Sequence, residues 1–154
     1  MHRLTLLCVG KLHGGWIAEG CEDFLHRLKH HARVEIRELP PSREKDAGRQ
    51  CGDESSRLLA AMGKQKGDVI VLDEKGERMT SREFALLLSQ CFDSGTPATF
   101  VIGGAYGLTE EVRKGAKAVV KLSDMTYTHE MARLILLEQV YRALEIQRGS
   151  GYHH

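Results

Sequence analysis

Five short apolar runs recur along the chain, at residues 4–9, 34–39, 68–72, 99–102 and 118–122, and longer stretches separate them. The first, third, fourth and fifth are close to continuously apolar, which is how short buried strands read. Residues 34–39 instead alternate apolar with charged side chains, the pattern of a half-exposed strand. Between the first two runs, Ile17, Cys21, Phe24, Leu25 and Leu28 recur at three- and four-residue intervals, so residues 16–29 predict a helix with one apolar face. Pro40 and Pro41 break regular structure. The charged stretch 42–56, with Gly48 and Gly52, predicts a mobile loop passing into a helix whose contacts are Leu58, Leu59 and Met62 and whose end is Gly63. Asp73, Glu74, Lys75 and Gly76 are a turn signal closing the third strand. Thr80 or Ser81 then caps a helix that turns Phe84, Leu87, Leu88 and Cys91 inward. A short helix from about Thr109 and a long one over residues 130–148, closed by Gly149, complete the pattern.

Strand and helix alternate from end to end, which predicts an α/β domain with a largely parallel sheet. No internal repeat or linker divides the chain, so residues 1–154 read as one domain, long enough to bury its own core. The 22 basic and 21 acidic side chains leave a formal charge of +1, so global electrostatics favour neither a nucleic-acid nor a membrane partner and count mildly against naked RNA. Cys8, Cys21, Cys51 and Cys91 are scattered without a C-x-x-C pair, which predicts reduced structural thiols, no metal site and a cytoplasmic setting. The run 4–9 is too short for a signal-peptide core and is followed by Lys11 and His13. No run reaches the roughly 20 apolar residues of a membrane span.

The long C-terminal helix carries more apolar surface than one sheet can cover. Met131, Leu134, Ile135, Leu136, Leu137, Val140, Tyr141, Leu144 and Ile146 take up over half of its circumference, which predicts a second copy of the chain packed about a twofold axis. Glu138 and Arg142, four apart, read as a surface pair of little energetic weight or as a pair facing a pocket.

Two loops lie at the carboxyl ends of strands, the edge of a parallel sheet where ligands bind. One opens with Gly103 and Gly104, where a missing Cβ lets backbone approach a ligand; the other spans residues 123–129. These residues carry a resemblance. The GGAYGL run after a strand, the SDMTYTH loop, the RLILLEQVYRA helix and the terminal GYHH, with the LxxVGK opening and the VIVLDEKG strand and turn, resemble in that order the RlmH family. These are SPOUT-class methyltransferases acting on pseudouridine in bacterial large-subunit ribosomal RNA. The match runs the length of the chain.

The resemblance implies a single-domain parallel sheet with helices on both faces, its C-terminal part threaded into a trefoil knot, and a homodimer using S-adenosylmethionine. It implies methylation of N3 of a pseudouridine in 23S ribosomal RNA, and the near-neutral charge adds the expectation that the assembled ribosome supplies much of the docking surface. Carried over, the cofactor residues are Leu72, Gly103 and Gly104, with Leu122, Ser123, Asp124, Met125, Thr126 and Tyr127; Leu72, Leu122 and Met125 would form an apolar slot for adenine. His129, Arg142, Tyr152 and His153 are the catalytic candidates, the tail supplied by the partner subunit. The family's usual proline before the loop histidine is Thr128 here, leaving that φ unlocked. Two other readings compete. A dinucleotide-binding oxidoreductase is suggested by Gly103, Gly104 and Gly107, though the spacing is not G-x-G-x-x-G and no opening βαβ unit precedes it. A non-catalytic ribosome-binding factor retaining the fold would bind RNA without methyl transfer.

Overall fold

The computed structural model describes all 154 residues. Its strands are β1 (His2–Val9), β2 (Ala32–Leu39), β3 (Asp68–Arg78), β4 (Ala98–Ile102) and β5 (Ala118–Lys121); its helices are α1 (Gly15–Leu28), α2 (Ala47–Met62), α3 (Ser81–Asp93), α4 (Glu110–Lys114) and α5 (His129–Arg148). All strand pairs are parallel and the order is β2-β1-β4-β3-β5. The position of each strand follows its pattern. β4, wholly buried, lies at the centre, while the alternating β2 takes an edge and turns its charged residues to solvent.

Helices cover both faces. Leu4, Leu6, Ile70, Phe100 and Ile102 face α1, α3 and α5 in the larger core; Leu7, Val9, Val71 and Val101 face α2 and α4 in the smaller one. Neighbours along a strand point to opposite faces, so both cores come from the same continuously apolar runs. No helix is long and apolar enough to cross a membrane. All four cysteines are free, and burial pushes the Cys8 and Cys91 thiols up to about 11, where they are inert.

Three local expectations change. α2 begins at Ala47, inside the stretch expected to be a loop, because the Asp46 side chain accepts the Arg49 N–H at 2.9 Å and supplies the cap; Gly48 and Gly52 are then helical. β3 does not end at the Asp73 turn. After an irregularity it rejoins β5, Glu77 opposite Val120 and Arg78 opposite Lys121. Gly76 permits this, since a Cβ there would come within 2.7 Å of the Val120 nitrogen. Finally, α5 packs between α1 and α3, and Leu134 reaches Gly20 of α1, so neighbours of the same chain cover part of the surface expected to await a second copy.

Candidate functional site

Because every strand is parallel, the loop-like excursion within β3 at residues 73–76 and the loops leaving β4 and β5 open on one edge, where they enclose a cleft of about 640 Å³. Leu72, Gly103, Gly104, Leu122, Ser123, Met125, Thr126, Tyr127 and His129 all line it. Leu72 is buried and Leu122 half-buried, making an apolar floor with Ile102 and Leu108. Met125 is 78 % exposed, so it stands at the rim rather than in the slot expected of it. Tyr106 and Tyr127 are exposed at the same mouth.

The glycines here are there for space. A Cβ on Gly103 would lie 2.8 Å from the Leu108 side chain and 3.0 Å from the Gly107 carbonyl. The loop therefore folds tightly on itself and presents backbone to the cleft.

Side-chain bridges tie the three loops together. Arg113 reaches from α4 to Asp73 at 3.3 Å and donates to the Leu108 carbonyl at 2.9 Å, joining the first loop to the second. Asp124 does not line the cleft. It turns outward onto Arg78 and onto Lys121 at 2.8 Å, joining the third loop to the end of β3, and those two cations hold its carboxyl down to about 2. Ser123 Oγ accepts the Met125 N–H at 3.0 Å. Thr128 caps α5, accepting the Met131 N–H at 3.2 Å, with a φ of −62° that matches what proline would impose. His129 follows as the first residue of α5, half-buried, on the cleft wall and without a hydrogen-bond partner in the chain.

The remaining catalytic candidates form a separate cluster. Glu138 Oε1 accepts from Arg142 Nε at 3.0 Å and Nη2 at 2.6 Å and from the Tyr152 hydroxyl at 3.2 Å. The Tyr152 ring stands edge-on to Tyr141, 5.0 Å between centroids, with the Arg142 guanidinium 4.9 Å over it. Arg142 Nη1 lies 3.1 Å from His153 Nδ1. A guanidinium can only donate, so Nδ1 accepts and the neutral ring carries its hydrogen on Nε2. Burial, then Arg82 and Arg142, hold the His153 pKa below its ordinary value, so it is neutral at neutral pH. Burial and then Glu138 raise that of Tyr152, which stays a hydroxyl donor. The Glu138–Arg142 pair is half-buried and networked, not an isolated surface pair. Arg142 follows His129 by thirteen helical residues, a separation of about 20 Å. None of Arg142, Tyr152 and His153 lines the cleft of their own chain.

Sequence reasoning missed Arg113 and the part of Asp73 as its acceptor, because forty residues separate them and only the sheet brings them together. The exposed aromatic Tyr106 carried a signal, since an aromatic between Gly104 and Gly107 has nowhere to bury.

The profile of the family described as "Predicted SPOUT methyltransferase" matches residues 2–153. The protein of Geobacter sulfurreducens named Ribosomal RNA large subunit methyltransferase H is 39 % identical over 153 residues, covering 99 % of each chain. The protein of the same name from Nitratidesulfovibrio vulgaris is 45 % identical over 163 aligned positions, covering both chains in full. Among solved structures, the SpoU methyltransferase AviRb from Streptomyces viridochromogenes in complex with AdoMet aligns at 18 % identity and a TM-score of 0.45, over 96 % of this chain and 58 % of that one.

Proposed function

The chain belongs to the SPOUT methyltransferase family, whose C-terminal trefoil knot comes with that membership, and from this premise we propose that it uses S-adenosylmethionine to methylate N3 of a pseudouridine in large-subunit ribosomal RNA. The observation that carries the reading is the cleft itself, an apolar floor walled by glycine backbone at the carboxyl edge of a parallel sheet. Its residues fit the cofactor. Leu72, Ile102 and Leu122 offer adenine an apolar slot, the backbone of residues 103–107, 122–123 and 125–127 can read its edge, and Glu74 supplies a carboxylate for hydroxyl or ammonium groups. When bound, the cofactor supplies an electrophilic methyl on sulfur.

The chain's own contribution is positioning and handling of the imide proton. Holding the nucleophile in line is worth on the order of 7 kcal/mol or more in ideal cases. His129, on the cleft wall with no partner in the chain, has a ring nitrogen available to take the proton at N3. Arg142 and the His153 Nε2–H are donors suited to the negative charge that develops on the uracil ring, and Tyr152 orients the guanidinium.

Arg142 lies about 20 Å along α5 from His129, with the His153 ring docked on it, too far to serve the cleft of their own chain. The active site is therefore composite, the tail and Arg142 entering the cleft of a second copy in a homodimer. The half-exposed Met131 and Ile135 on α5 support such an interface. With a formal charge of only +1 the chain lacks the field to hold free RNA, so its substrate is the assembled ribosome, in the cytoplasm.

Transfer of labelled methyl from S-adenosylmethionine to ribosomes with and without the target pseudouridine tests the reaction, and pseudouridine-dependent incorporation into large-subunit RNA is the expected result. Cofactor binding without incorporation would point to another acceptor; no cofactor binding would favour a non-catalytic ribosome-binding role. Mixing a cleft-dead variant with a tail-dead variant tests the composite site. With one intact site in each heterodimer, about a quarter of full activity should return; a mixture that stays inactive would sink it.

A further inference from the structure

Behind the cleft, outside its lining, the middle of α2 turns three side chains toward the loop that carries Gly103 and Gly104. Cys51 Sγ donates to the Gly107 carbonyl at 3.6 Å, and Ser55 Oγ accepts the Thr109 N–H at 3.1 Å. Glu54, between them, is 2 % exposed. Its Oε2 accepts the Ser42 N–H at 3.0 Å, which ties down residues 40–46, whereas its Oε1 has no hydrogen-bond partner in the chain. That oxygen lies against Gly104, where an added Cβ would stand 2.3 Å from it. Carboxylates are seldom buried unless every oxygen finds a donor, because desolvation without replacement is costly. The backbone Oε1 faces is that of the cleft loop.

We propose that Glu54 is the positioning residue of this loop: Oε2 fixes the residue 40–46 segment through Ser42, and Oε1 receives a backbone N–H of the loop, transiently in the free chain and lastingly as the cleft fills, which requires glycine at 104. On this view Gly104 lacks a side chain for the sake of the carboxylate behind it, not for the ligand in front. Two acceptors are needed at once. A carboxylate provides both; the isosteric amide of glutamine provides one acceptor and one donor, so one of the two contacts fails.

This inference rests on the reading of the cleft as an S-adenosylmethionine site, and its test keeps the two apart. Calorimetry of S-adenosylmethionine on the full chain and amide exchange of residues 104–107 without ligand are measured for Glu54→Gln, Glu54→Ala, Gly104→Ala and the double variant Glu54→Ala/Gly104→Ala. Glu54→Gln should weaken the cofactor about tenfold, a loss of ~1.4 kcal/mol, and speed exchange in the loop while the melting temperature holds. Gly104→Ala should weaken it at least as much, and the double variant should bind more tightly than Gly104→Ala alone. If Gly104→Ala does not fold, folding of the double variant is the rescue, and Glu54→Gln decides if neither folds. A Glu54→Gln protein with unchanged affinity and exchange, or losses that simply add in the double variant, would overturn the proposal. A wild-type chain that binds no S-adenosylmethionine, yet shows the exchange effect, would overturn the cofactor reading and leave Glu54 as an organiser of the loop for another ligand.

Discussion

The cleft and the tail cluster are served by one helix, with His129 at its start and Arg142 about 20 Å further on, and they are built from opposite materials. The cleft is backbone: two glycines, an apolar floor and three loops tied from outside by Arg113 and by the Arg78–Asp124 pair. The cluster is side chain: one carboxylate oxygen takes three hydrogen bonds, two from Arg142 and one from Tyr152, and His153 closes the far end. A backbone site tolerates loss of side chains and is broken by adding them. A side-chain network is broken by removing one member.

The sharpest test of that contrast is Arg142→Ala. It should lower kcat for methyl transfer by about 100-fold or more, with cofactor affinity unchanged by calorimetry; a loss of affinity instead would place Arg142 in the binding machinery. On the cleft side, Gly103→Ala drives a Cβ into Leu108 and the Gly107 carbonyl. Cofactor Kd should rise about tenfold, some 1.4 kcal/mol, while the tail keeps its contacts to Glu138, as the environment of Tyr152 in NMR spectra would report.

At the junction, Thr128→Ala removes the α5 cap. The expected cost is about 1 kcal/mol, read as a melting temperature lower by about 2–4 °C. Thr128→Pro keeps the observed φ of −62° and should retain the orientation of His129 better than alanine does. The smallest effect belongs to Asp124→Asn, a pair on the outside of the cleft. Its pKa is lowered, to about 2, so its contribution is complete above the ordinary carboxylate range and fades only as pH falls from there toward about 2. Cofactor affinity should drop a few-fold in the variant with no measurable change in melting temperature. A large change in stability would mean that the third loop organises the fold and not only the cleft.

Much of this architecture can be read along the chain. The five apolar runs became the five strands, the three- and four-residue spacing of α1 marked its buried face, and Thr80 and Gly149 bounded their helices where their chemistry says they should. Eight of the nine expected cofactor residues line one cleft, because loops after parallel strands must meet on one edge. The exceptions share a cause. α2 began early on the strength of the Asp46 side chain, Asp124 turned outward to Arg78 forty-six residues away, and the pair expected between Glu138 and Arg142 took in Tyr152 as a third member.

Local sequence therefore determined which segments became strand or helix and which loops could hold a ligand, since periodicity, caps and glycine act over a turn or a pleat. Tertiary structure alone decided the partners: the strand order that set β4 between β1 and β3, the Arg113 bridge to Asp73, the carboxylate of Glu54 behind Gly104, and the distance separating the tail from its own cleft. Those depend on where a side chain from a distant run comes to rest. That position is fixed only when the whole sheet and both of its cores have assembled.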